Sequence, residues 1–133
     1  MNTRYLMRAS AILAALLGVI ASFLPQEILT YAGAASGGVG TAIVQVAGAL
    51  YLGFAALNWT AQGNLIGGIY SRPVALANFM QFAVGAVAML KVAAGGERAV
   101  VVLLLCAAYS LFAVLFGIVL FTSPSGLGNG GVK

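Results

Sequence analysis

Long apolar runs alternate with short polar or glycine-rich breaks, and four of the runs are long enough to cross a bilayer. A spanning helix needs roughly 20 mostly apolar residues, within a range of about 17–25. The first run covers residues 5–24, with Arg8 near its start. An arginine stem lies along apolar surface while its charged head reaches the headgroups. Pro25 stops the run, because proline disfavours helix at the residue before it. The second run, residues 41–60, follows the glycine-rich stretch 33–40 and closes on Asn58-Trp59-Thr60. The third, residues 73–90, opens on a proline suited to a first helical turn and ends at Lys91. The fourth, residues 99–122, is closed by Ser123-Pro124. The pattern predicts an all-α fold, an integral membrane four-helix bundle within residues 1–122, followed by a flexible glycine- and serine-rich tail at 123–133.

The connections differ in kind. Residues 25–40 form the longest, and 26–31 within it has the makings of one interfacial turn of helix. Residues 61–72 are rich in glycine and polar-aromatic, and residues 91–98 predict a tight hairpin around Gly95-Gly96. The N-terminus has a competing interpretation: basic residues, an apolar core and Ala32-Gly33-Ala34 resemble a secretory signal peptide. The small-residue site lies well beyond the apolar core, with Gln26-Glu27-Ile28-Leu29 between them, which favours retention of the first span. Cleavage would leave three spans.

Composition sharpens the membrane assignment. Of 133 residues, 62% are hydrophobic and 6% charged, against about 25% charged in an ordinary soluble domain. Six basic and two acidic side chains cannot supply a polar shell, so the apolar excess has to face lipid. The formal charge of +4 does not imply nucleic acid, because the basic residues are scattered singly at segment ends rather than forming a stripe. Their placement orients the chain instead. With the N-terminus inside, Arg4, Arg8, Arg72 and Lys133 are cytoplasmic, while Lys91 and Arg98 lie outside with Glu27 and Glu97, which predicts an N-in/C-in topology.

Lipid tails are as apolar as leucine, so membrane helices associate through close packing of small residues and interhelical hydrogen bonds. Candidate seams are Ala14, Gly18 and Ser22 in the first span, Ala49 and Gly53 in the second, Gly85 and Ala88 in the third, and Ala113 and Gly117 in the fourth. They serve either packing within the chain or an interface with a partner. Amides at membrane depth are costly without partners, so Gln45, Asn58, Asn78 and Gln81 are expected to face other helices or water. On the predicted topology Asn58 ends the second span on the side where Asn78 and Gln81 begin the third, with Tyr70, Arg72 and Asn64 in the loop between. That cluster predicts a hydrogen-bond clamp between two helices or, functionally, a polar pocket for a headgroup or small polar ligand. Tyr51, Tyr109 and Ser110 fall near mid-bilayer, where a buried tyrosine needs a hydroxyl partner. Tyr5, Tyr31, Trp59 and Tyr70 fit an interfacial aromatic belt.

Missing chemistry narrows function further. There is no histidine and a single cysteine, Cys106, so no intrachain disulfide forms, and no metal or haem site is expected. No acidic or basic residue lies at mid-membrane, where coupled transporters and pumps generally carry one. The first span lacks the glutamate of small multidrug exporters, and fluoride-channel motifs are missing. Glu27, Glu97, Lys91 and Arg98 would share the outer surface, but nothing points to the dry, shaped site that acid–base catalysis needs. Cofactors are therefore not expected.

The four short spans, with Asn58-Trp59-Thr60-Ala61-Gln62-Gly63-Asn64 followed by Gly67-Gly68-Ile69-Tyr70-Ser71-Arg72-Pro73, resemble small uncharacterised bacterial inner-membrane proteins. In broad layout these are similar to the DoxX-like four-helix group. The resemblance implies a bacterial inner-membrane location and assigns no catalytic or binding residue. The resulting expectation is a non-enzymatic protein acting through helix–helix contacts, as a homo-oligomer or with a membrane protein partner. The alternative is a facilitative carrier or lipid-binding protein using the amide cluster.

Overall fold

The computed structural model describes residues 3–63, 72–96 and 99–122. Among these, the chain forms five helices and no strand: α1 (Thr3–Phe23), α2 (Pro25–Tyr31), α3 (Gly38–Ala61), α4 (Arg72–Ala94) and α5 (Val100–Thr122). All but α2 are long and apolar enough to span a membrane. At about 1.5 Å per residue, helices of 21–24 residues are about 32–36 Å long, against a hydrocarbon core of about 30 Å. Asn64, Tyr70, Glu97, Arg98 and the tail 123–133 lie outside the described residues.

Two helix ends lie three or more residues from the positions the sequence predicts, for local reasons. The second spanning helix starts at Gly38 rather than residue 41. Gly37 and Gly38 take φ of 128° and 57°, which turns the chain sharply without a side-chain penalty. The Gly37 N–H then donates to the Thr41 hydroxyl at 3.0 Å, so a donor at the helix start is not left bare. At the other end, Lys91 does not stop α4, which continues to Ala94. A lysine in a last turn suits the negative end of the helix dipole, and its stem can lie along apolar neighbours.

The chain divides into two compact units, Met1–Gly63 and Asn64–Lys133. In the first, α1 and α3 run antiparallel with α2 beside them. Pro25 occupies the first position of α2, so only Leu24 separates it from α1. Leu29 of α2 lies over Gly40 near the start of α3. The buried side of α1 is Leu6, Met7, Ser10, Ala11, Ala14, Gly18 and Ala21, a helical stripe, while Ile12, Leu16, Val19 and Phe23 point outward. On α3 the buried positions are Gly48, Ala55, Asn58 and Ala61.

Backbone proximity is closest where α1 and α3 cross. A methyl group at Gly48 would fall 2.5 Å from the Ser22 hydroxyl oxygen and 2.7 Å from the Ser22 backbone nitrogen. One at Gly18 would fall 2.9 Å from the Leu52 nitrogen and 3.0 Å from the Gly48 carbonyl oxygen. Both glycines are there because the opposing backbone occupies the space of a side chain.

In the second unit α4 and α5 are antiparallel and joined by aromatic rings. Phe82, 2% exposed, stacks on Phe112 and Phe116 at centroid distances of 4.9 and 5.8 Å and meets Tyr109 edge-on at 5.5 Å. Phe79 meets Phe121 edge-on at 5.9 Å and lies over Gly117. Tyr109 fills the space left by Gly85, where a methyl group would come within 2.2 Å of the ring.

Candidate functional site

Two polar features lie inside the first unit. Asn58, on the last turns of α3, is fully buried, and its Nδ2 donates to the Ser10 hydroxyl of α1 at 3.0 Å. That hydroxyl in turn donates to the Met7 carbonyl at 3.0 Å, so Ser10 is both donor and acceptor. Interhelical bonds of this kind in membrane proteins contribute about 0.6 kcal/mol on average. One partner of Asn58 is thus Ser10 on the first span, a contact that sequence spacing did not single out. One turn further toward the helix ends, Arg8 Nε donates to Gln62 Oε1, and Gln62 Nε2 donates to the Trp59 carbonyl at 2.7 Å. These bonds tie the start of α1 to the end of α3.

The second unit holds its own amides. Asn78 is fully buried, and its Nδ2 donates to the Val74 carbonyl one turn back on α4 at 2.9 Å. Gln81, three residues on, is half-buried with its Oε1 closed off from solvent and without a hydrogen-bond partner among the described residues. Arg72 is exposed at the first position of α4. At the far end of the first unit, Gln45 is exposed and its Nε2 reaches the Ser22 carbonyl at 3.5 Å.

The small residues fall into distinct environments. Ala14 and Gly18 are buried against α3, and Ser22 is half-buried beside Gly48. Gly85 lies under Tyr109, Gly117 is buried under Phe79, Ala113 is half-buried and Ala88 is exposed. Ala49 and Gly53 are exposed on α3, and among the described residues nothing lies within 4 Å of the position a Gly53 methyl would take. The α1 contact is made instead by Gly48, Leu52 and Ala55, of which Gly48 was one position away from the residue that spacing selected.

Ser10, Gly48, Gln62 and Phe82 carry contacts that the sequence did not single out. Ser10 had a signal, as one of two serines within an apolar run. The phenylalanines also had one, at i, i+3 on α4 and i, i+4 on α5, but lipid-facing rings show the same spacing. Among the described residues no group of three or more His, Cys, Asp or Glu is placed to hold a metal ion. Cys106 is a half-buried free thiol, and Glu27 and Lys91 are exposed.

No family model, curated protein or solved structure matches this chain. The likeness to DoxX-like proteins is therefore one of layout, and what is established is a multi-pass helical membrane protein.

Proposed function

We propose that this is a non-enzymatic protein of a bacterial inner membrane that acts through helix–helix contacts, self-associating or joining a larger membrane complex as an accessory subunit. The observation that carries this is the outward face of α3, where Ala42, Ala49 and Gly53 are exposed at i, i+7 and i+11 and open space lies over Gly53. In a bilayer such positions let a second helix backbone approach closely. The near absence of charge supports a role in packing rather than chemistry, because no acid–base pair lies within a span. The bacterial location rests on the DoxX-like layout alone.

Cysteines introduced at Ala49 and Gly53 in a Cys106→Ser background test it by crosslinking in native membranes. A crosslinked homodimer or a discrete partner adduct, lost on Gly53→Leu, is the expected result. Monomer alone at both positions overturns the proposal.

A carrier for a small neutral solute or a lipid headgroup is the second possibility, favoured by the unpartnered Gln81 Oε1. A buried acceptor without a donor costs about 1–3 kcal/mol, and a ligand donor would relieve that cost. Proteoliposome swelling in glycerol or urea that disappears in Gln81→Leu would support it, and swelling no faster than in protein-free vesicles would count against it.

A further inference from the structure

An open groove of about 400 Å³ lies on the α1–α3 face, within the roughly 300–1,000 Å³ of small-molecule sites. Its floor is Ala11 and Ala15 of α1 with Ala55 and Ala56 of α3, and its walls include Ile12 and Trp59. The four alanines leave a channel where larger side chains would fill the surface. Along α1 the groove runs from Ala11 to Ala15, about 6 Å at about 1.5 Å per residue, and Arg8 lies about 4.5 Å beyond its Ala11 end, so headgroup and hydrocarbon depths meet there.

Arg8 lies three and four residues before Ala11 and Ile12, on the same helical face, and it is exposed. A guanidinium has five N–H donors, and among the described residues its one hydrogen bond is from Nε to Gln62. Gln62 is itself bonded to the carbonyl of Trp59, the groove wall, so the cation is held at the groove mouth. Arg4 adds a second positive charge one turn away. The only acid in the first unit, Glu27, follows the opposite end of α1, which is about 22 Å from Arg8. The mouth therefore carries the positive charge of Arg8, with the one acid of this unit at the far end of α1, and the interior is apolar.

We propose that this groove binds one anionic glycerophospholipid, with its phosphate on Arg8 and an acyl chain along the alanine floor. Arginine pairs with phosphate through two parallel N–H bonds, and the Gln62 bond orients the guanidinium before the lipid arrives. Ala56 and Thr60 at the groove edge continue the α3 stripe of Ala49 and Gly53 at i+7 and i+11 from Ala49, so a helix seated on that stripe borders the groove; crosslinking at Ala49 and Gly53 and lipid quenching of Trp59 read the two proposals separately.

Trp59 is the only tryptophan and is 55% exposed at the groove wall, which makes it the reporter. The full chain is reconstituted in phosphatidylcholine vesicles, and Trp59 quenching by acyl-brominated phosphatidylglycerol is compared with that by brominated phosphatidylcholine. The expected preference for phosphatidylglycerol is about fivefold, the factor corresponding to about 1 kcal/mol per basic residue at an anionic surface. Arg8→Gln should reduce that preference to about one, while Ala15→Leu, which fills the floor, should lower quenching by both lipids. Ile12→Ala, which removes a wall, provides a second groove variant, and circular dichroism confirms helicity for each. Equal quenching in the wild type, or a preference that survives Arg8→Gln and Ala15→Leu, overturns the proposal. Trp59 shielded from both lipids by a second copy of the chain also overturns it, assigning the groove to protein contact.

Discussion

Gly48 and Gly53 are five residues apart on one helix, yet a methyl group has opposite consequences at the two sites. At Gly48 it meets the Ser22 backbone, which cannot rotate aside, whereas at Gly53 it meets nothing. Gly48→Ala is therefore expected to destabilise the α1–α3 pair by about 1–3 kcal/mol, the range for overpacking, with Gly53→Ala near neutral, as measured by thermal unfolding in detergent. Ser10 and Asn58 present a different case, because removing either leaves the other partly satisfied. Ser10 keeps its bond to the Met7 carbonyl when Asn58 is replaced. A double-mutant cycle of Ser10→Ala with Asn58→Ala should give a coupling of about 0.6 kcal/mol, rising to no more than about 1.7. A coupling near zero would show that the 3.0 Å contact does not stabilise the pair.

Each helix pair uses a different means of association. The α1–α3 pair relies on glycine and alanine at the crossing, with polar bonds near both ends. The α4–α5 pair relies on aromatic rings gathered around Phe82. In a bilayer the separated helices are already out of water, so burying a ring gains little by transfer, and packing geometry supplies most of the stability. Aromatic pairs contribute about 0.5–1.5 kcal/mol each beyond area. Phe82→Leu removes three such contacts and should lower α4–α5 stability by about 1.5–4.5 kcal/mol. Phe121→Leu, at an exposed position with one ring contact, should cost no more than about 1.5 kcal/mol. Comparable losses in the two variants would mean that the rings around Phe82 are not the centre of the interface.

For the molecule as a whole, orientation depends on a small number of basic residues. Arg4, Arg8 and Arg72 lie at helix ends that an N-in arrangement puts in the cytoplasm, and Lys91 lies at the end of α4 on the opposite side. Reporter fusions should place Lys133 inside and the Gly95-Gly96 turn outside. Moving charge, by Arg4→Gln and Arg8→Gln with Ala94→Lys, should produce a mixed population, because positive residues near span ends set topology. A single unchanged orientation in that variant would mean that other features dominate insertion.

How much of this was legible before folding depended on the kind of information. The four spans were readable from apolar run length alone, because a bilayer imposes nearly the same length on every crossing helix. The short helix after Pro25 was readable from the proline and its flanking residues, since both act locally. The side of α3 that meets α1 was not, because that helix is apolar nearly all round and its small residues occur on several faces. Gly48 and Ala49 are chemically alike neighbours, and only the approach of Ser22 distinguishes them. Likewise, an amide at Asn58 announces that it needs a partner, but the choice of Ser10 depends on two helices 48 positions apart in sequence lying antiparallel at a particular offset. The sequence by itself determined a nearly uncharged, multi-span membrane protein, because lipid selects on length and polarity. The tertiary structure decided which faces pack, which amides are satisfied and where a groove opens beside Arg8, because those depend on side chains meeting across helices.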